Sequence, residues 1–164
     1  MRPRFRVLLA LLAAISALVL VPVAAGADSR GGDGSDAPPL LRSGLVGSTP
    51  TAIAPAVGGP TLFGIPPAGA PWVVRSGGVR VSRGGELQVR IEGLVLTSTG
   101  TNPVPMVTAT LACNGVPAAV TPAAPLSTAG DGRIEAMVAV PQPCLAPAVL
   151  INIAGRVNYI AANG

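Results

Sequence analysis

The chain has 164 residues, with 21 glycines, 18 prolines and no histidine, and all 11 of its basic residues are arginine. Without histidine or lysine, no Ser–His–Asp triad, Cys–His pair, lysine Schiff base or histidine-rich zinc site can be assembled. The formal charge of +4 is concentrated at the start: with Arg2, Arg4 and Arg6 set aside, eight arginines face seven acidic residues, a net +1. Those arginines are scattered along the sequence and Phe63, Trp72 and Tyr159 are the only aromatics beyond Phe5, so no nucleic-acid partner is expected.

Residues 1–27 have the three-part layout of a secretory signal peptide. Met1 to Arg6 is basic, Val7 to Val21 is apolar, and Ala25-Gly26-Ala27 is a small-x-small site that places cleavage between Ala27 and Asp28. The rival is a retained membrane anchor, because Val7 to Ala27 carries no charge and about 20 apolar residues span a bilayer. Against it, the strongly apolar part stops at Pro22 and no basic stop-transfer cluster follows. The expected location is secreted or extracellular. Anchoring at the outer face of the cytoplasmic membrane is the alternative, with membrane contact only if this segment is retained.

Residues 28–70 read as a flexible Gly/Pro-rich linker. Gly31-Gly32-Asp33-Gly34-Ser35 is flexible, Pro38-Pro39 is stiff, and Gly58-Gly59-Pro60 and Pro66-Pro67 punctuate the rest. Within it, Leu40-Leu41 and Thr61-Leu62-Phe63 are apolar enough to dock as an extra edge strand.

Residues 71–164 have the size of one β-sandwich domain. Proline and glycine interrupt every stretch before three helical turns could form, and valine, threonine and isoleucine favour strands. After a short strand at Trp72-Val73-Val74, a three-residue loop Arg83-Gly84-Gly85 sets Ser82 opposite Glu86, Val81 opposite Leu87, Arg80 opposite Gln88 and Val79 opposite Val89. Every pair then agrees in polarity, as a half-buried sheet requires. Asn114-Gly115 is the strongest short hairpin signal. It sets Cys113 opposite Val116, Leu111 opposite Ala118 and Ala109 opposite Val120, with Cys113 inward and Pro117 marking an edge strand. Thr121 to Gly130 reads as an exposed Pro-rich loop. Ile134 to Val140 follows as a strand with Ile134, Ala136, Val138 and Val140 on one face. A last hairpin across Ala154-Gly155-Arg156 sets Ile153 opposite Val157, Ile151 opposite Tyr159 and Asn152 opposite Asn158. The expected fold is all-β: a single Greek-key, immunoglobulin-like β-sandwich of about seven strands. It departs from a standard immunoglobulin domain, since the tryptophan precedes both cysteines and the tyrosine-corner spacing is absent.

Cys113 and Cys144 are expected to form one structural disulfide, because an isolated pair in an exported chain is most often that. A reactive or metal-binding pair is the alternative. Trp72 is expected to plug the core, with an exposed ligand-contacting aromatic as its rival reading. The folded part holds four carboxylates. Glu86 and Glu92 share a strand face about 20 Å apart at 3.3 Å per residue, too far for a glycosidase pair, and Arg90 between them points to an exposed ion-pair row. Asp131 and Glu135 are closer, but Asp131 lies in a Gly-Asp-Gly turn. Asp131 with Asn102 is a thin supply for calcium, which needs six to eight oxygens. No metal and no cofactor is expected.

Pro71-Trp72-Val73-Val74-Arg75-Ser76-Gly77, Gly100-Thr101-Asn102-Pro103, Cys113-Asn114-Gly115 and Pro143-Cys144-Leu145-Ala146-Pro147-Ala148-Val149-Leu150 together resemble small secreted proteins of high-GC, actinobacterial-type bacteria. The likeness covers roughly residues 71–164. It implies export and a single domain, and carries over no activity. The function expected is therefore non-catalytic: a secreted or cell-surface interaction or structural module with an envelope or extracellular partner. The first alternative is a carrier of a small apolar ligand, in a cleft lined by Trp72, Met106, Met137 and Tyr159. A protease inhibitor using the Thr121–Gly130 loop and a carboxylate-based hydrolase using Asp131 and Glu135 follow.

Overall fold

The structure, a computed structural model, describes residues 38–49 and 61–164. The signal segment with its Ala27/Asp28 cleavage site, and the linker stretches 28–37 and 50–60, lie outside the described residues. In chain order the strands are β1 (Leu41–Gly47), β2 (Trp72–Val73), β3 (Ser76–Val81), β4 (Glu86–Glu92), β5 (Val95–Leu96) and β6 (Met106–Cys113), then β7 (Val116–Val120), β8 (Ala124–Pro125), β9 (Gly132–Met137), β10 (Ala148–Ile153) and β11 (Tyr159–Asn163). The described residues form no helix, and the all-β sandwich-like fold expected from the sequence is present.

Eight strands run in the order β7-β6-β10-β11-β1-β3-β4-β9, with β8 beside β6 and a separate β2–β5 ribbon. The sheet curls because β1 belongs to both halves: Leu41 to Gly44 pair with β3, and Leu45 to Gly47 pair with β11. At the other end Leu126, just past β8, bridges Gly132 at the start of β9. The two halves thus approach each other on both sides of one apolar core.

β4 shows why these residues make a sheet. Leu87, Val89 and Ile91 point inward and are almost fully buried, while Glu86, Gln88, Arg90 and Glu92 alternate outward. Each inward side chain contributes roughly 1.5–3 kcal/mol by leaving water. The β3–β4 register is the expected one: Val81 faces Leu87, Arg80 faces Gln88 and Val79 faces Val89. Gly85 has a φ of 95° with the Val138 carbonyl against it, a position that only glycine fills without strain.

The linker reading is corrected over its described parts. β1 is an interior strand between β3 and β11, not an edge. Its interior site takes Leu45, 7% exposed, inward, and Gly47, where a Cβ would overlap the Trp72 carbonyl. Residues 61–68 cross the outer face of β10 and β11 as a strap: Tyr159 donates to the Pro66 carbonyl (3.0 Å) and Ala68 donates to the Tyr159 carbonyl (2.8 Å). Leu62, Phe63 and Ile65 pack there against Ala112, Leu150 and Tyr159. The strap explains why Val149, Leu150 and Ile151 are all buried, with no solvent-facing row.

Two further registers differ from expectation. Asn114 (φ 57°) and Gly115 (φ 82°) form the expected turn, with Cys113 facing Val116 and Ala112 facing Pro117, but a bulge between Ala112 and Leu111 sets Leu111 opposite Ala119 instead of Ala118. Pro117 has no N–H to offer the ladder, and β7 is an edge strand, as expected, whose Val116 and Val120 stay exposed. In the last hairpin a bulge sets Asn152 opposite Tyr159 and Ile151 opposite Ala161, which sends Ile160 and Ala161 into the core and leaves Val157 73% exposed. Asn152 accepts the Thr110 hydroxyl on β6 instead of facing Asn158 (2.8 Å). β9 ends at Met137, although Val138 and Val140 still pack on the core.

The Cys113–Cys144 disulfide is present, joining the end of β6 to the segment entering β10. Asn114 reinforces it. Its Nδ2 donates to the Pro143 carbonyl (2.9 Å), its Oδ1 accepts from Leu145 N–H (2.8 Å), and its own N–H donates to the Leu145 carbonyl (2.9 Å).

Burial holds the Tyr159 phenol above its ordinary value near 10. The neutral phenol is thus favoured in the folded state: the stability linked to it is complete below pH 10 and is lost as pH rises through the raised folded value. Tyr159 is the chain's only tyrosine, so tyrosinate absorbance titrates it alone. Its midpoint is expected to lie above that of the unfolded chain, and Tyr159→Phe to move alkaline unfolding to higher pH. Equal midpoints in both states would show that the strap leaves this ring in water.

Candidate functional site

At one end of the sandwich four segments, residues 68–72 counted as one, surround an open cleft of about 730 Å³, within the range of small-molecule sites. The end of the strap gives Ala68 to Ala70, β2 gives Trp72, β5 gives Leu96, the approach to β6 gives Pro103 to Met106, and the β10–β11 turn gives Ile153, Ala154, Arg156 and Asn158. Trp72 is 3% exposed and packs on the main core. Its buried indole N–H has no acceptor in the described protein. A buried donor left unpaired costs about 1–3 kcal/mol, which makes it the unusual group of this site.

The wall opposite Trp72 is fixed by a side chain outside the cleft. Asn102 is buried; its Nδ2 donates to the carbonyls of Val104 (2.6 Å) and Ser127 (2.8 Å), and its Oδ1 accepts the Val104 N–H (2.8 Å). Its amide is thereby committed to holding the loop, which removes it as a calcium ligand. Ala154 N–H donates to the Met106 carbonyl (3.1 Å), tying the β10–β11 turn to the same wall. No family model, curated protein or solved structure matches the chain. The site is therefore read from its own geometry.

Of the four residues expected to line a cleft, two meet here: Trp72 and Met106. Met137 is 71% exposed and pairs with Glu86 at the far end of β4, so it is corrected to a surface position. Tyr159 is corrected to the strap-covered face of the second half-sheet, where it packs with Leu150 and Ala112. Arg156, Leu96, Ile153 and the Pro103/Pro105 pair were not foreseen as lining. The alternating prolines of Asn102-Pro103-Val104-Pro105-Met106 were the readable signal, since a stretch in which every second residue lacks an N–H suits a wall better than a strand.

The carboxylates lie elsewhere and each already has a partner. Glu92 accepts from Ser76 Oγ (2.7 Å) and from Arg90, and these bonds hold its carboxyl below the ordinary value. Asp131 accepts the Gly93 N–H (2.9 Å) with Arg75 at 3.8 Å; Glu135 pairs with Arg133, and Glu86 with Gln88. Asp131 and Glu135 thus neutralise different arginines. The Thr121–Gly130 loop is corrected as well: Ala124–Pro125 pair with β6, and Leu126 is buried.

Scattered in sequence, four arginines gather on the outer face of the first half-sheet. Arg42 faces Arg80 across β1 and β3, and Arg90 faces Arg133 across β4 and β9. Gly44 and Gly78 leave the floor between them bare. Arg90 and Arg133 have carboxylate partners; Arg42 and Arg80 have none among the described residues. Like charges placed directly opposite destabilise a sheet, and at Arg42 and Arg80 no carboxylate among the described residues offsets that cost.

Proposed function

We propose that the chain is a non-catalytic, extracytoplasmic β-sandwich that binds a small, mainly apolar molecule in the Trp72 cleft. The observation that carries this reading is an open cleft of ligand size, lined mainly by apolar side chains, whose lining includes Trp72 with its buried, acceptor-less N–H. Export is supported by the layout of residues 1–27 and by the disulfide, which persists in oxidising compartments. The exported form begins at Asp28; a species keeping Met1 and sedimenting with membranes would make residues 1–27 an anchor, and intact mass separates the two.

Trp72 is the chain's only tryptophan, so its fluorescence reports the cleft alone. A panel of hydrophobic metabolites is expected to quench or shift this emission saturably. Emission that ignores the whole panel, with calorimetry equally silent, would sink the reading. The arginine face favours a second one, an interaction module that docks on an acidic extracellular partner. Charge reversal at Arg42 and Arg80 would then abolish capture of that partner from envelope extracts, while leaving the cleft unaffected.

A further inference from the structure

Resting on the cleft reading above, we infer that the ligand is an apolar carboxylate, its acidic head at Arg156 and its body against Trp72 and Met106. Three side chains on the cleft can make directed polar bonds: Trp72, Arg156 and Asn158. Indole and guanidinium only donate. The amide N–H of Asn158 already reaches the Pro67 carbonyl (3.3 Å). Four backbone acceptors around the rim are taken as well. The carbonyls of Leu96, Pro105, Met106 and Ile153 receive Gly100, Leu126, Ala154 and Arg156 N–H groups. Asn158 keeps its Oδ1 as an acceptor, but Arg156 is the one charged side chain on the cleft among the described residues, so a ligand that suits it presents an acceptor of negative charge.

Charge sharpens this. Arg75, Arg90 and Arg133 each sit beside a carboxylate, whereas Arg156 is exposed at the cleft rim with no anionic partner among the described residues. None of the four carboxylates of the folded part lines the cleft. The local field there is positive and unscreened by protein acids, and an anionic head next to guanidinium forms the stronger, charge-assisted type of hydrogen bond. The rest of the surface is proline, alanine, leucine, isoleucine and methionine, which favours an aliphatic or aryl body. A cationic ligand would find no carboxylate on the cleft to pair with and would meet Arg156 at its rim.

The test uses the oxidised mature protein and matched series: decanoate and 3-phenylpropanoate, each with its methyl ester and the corresponding primary amine. Binding is followed by Trp72 fluorescence and by calorimetry. The acids are expected to bind about tenfold more tightly than the esters, and the amines weakest. Arg156→Gln, in an exposed turn, should bring acid and ester to equal affinity without changing the unfolding midpoint. Trp72→Phe, read by calorimetry, should weaken acid and ester alike, since both offer a carbonyl acceptor. Equal affinity for acid, ester and amine, unmoved by Arg156→Gln, overturns the carboxylate inference and leaves the cleft reading standing. No binding by any member of either series overturns both.

Discussion

Replacing Cys113 and Cys144 together by alanine is expected to lower the unfolding free energy by roughly 3.5–4 kcal/mol, the chain-entropy value for a loop of this length. The bond joins residues 31 positions apart, and the loop it closes contains β7, β8 and β9. These strands are held on one side only or are very short: β7 and β9 end the sheet path and β8 is two residues long. Cross-linking their two ends restricts the unfolded chain most where the folded chain has least to hold it. Asn114 opposes part of the loss, because its three hydrogen bonds span the same two segments. The double variant should therefore fold at 25 °C with a lowered urea midpoint. Adding Asn114→Ala should cost more in that background than in the oxidised protein, as expected for neighbours sharing one junction. A double variant with an unchanged midpoint would show that the Asn114 clamp alone closes the loop.

Local pattern carried the sequence reading where one strand follows its partner directly. The β3–β4 hairpin has strict alternation and a glycine turn; the expected pairs Val81/Leu87, Arg80/Gln88 and Val79/Val89 are in the ladder, and just beyond it the Ser82 N–H donates to the Glu86 carbonyl. The reading failed where a distant segment decides the environment. Leu41 to Gly47 contains Arg-Ser-Gly and looks like linker, yet as an interior strand its backbone is paired on both sides by residues more than 30 positions away. The strap over Leu150 and Tyr159 had the same effect on the last hairpin. It adds a second buried face on Leu150 and Tyr159, and the bulge that serves both faces has no signature in the local sequence. Cleft and arginine face share this origin. Trp72 and Met106 were legible as large side chains in need of neighbours, but what joins them is the packing of four segments spread from Ala68 to Asn158. Arg42 and Arg133 lie 91 positions apart in the sequence, and strand order alone places them on one surface.

Asn102→Ala is expected to separate the stability of the cleft wall from that of the sandwich. Three hydrogen bonds vanish with this side chain, leaving the Val104 N–H and the carbonyls of Val104 and Ser127 without it. A single unsatisfied buried group costs about 1–3 kcal/mol, and water reaching the loosened loop relieves part of this, so a total near 2–4 kcal/mol is expected. The damage should be local. Asn102 lies between β5 and β6, and the ladders of β3–β4 and β6–β10 do not pass through it. Amide exchange should rise over residues 97–105 and around Ser127 well before it rises in β4 or β10. Ligand affinity should fall with it, since Pro103 to Met106 form one wall of the cleft and would no longer be held in place beforehand. Asn102→Asp gives the finer comparison. It keeps the acceptor for Val104 N–H but turns a carboxylate towards two carbonyls, so it should destabilise at neutral pH and recover in part as acid protonates it. If Asn102→Ala instead raised exchange uniformly across all strands, the wall and the sandwich would be one cooperative unit, and the cleft could not loosen without the fold.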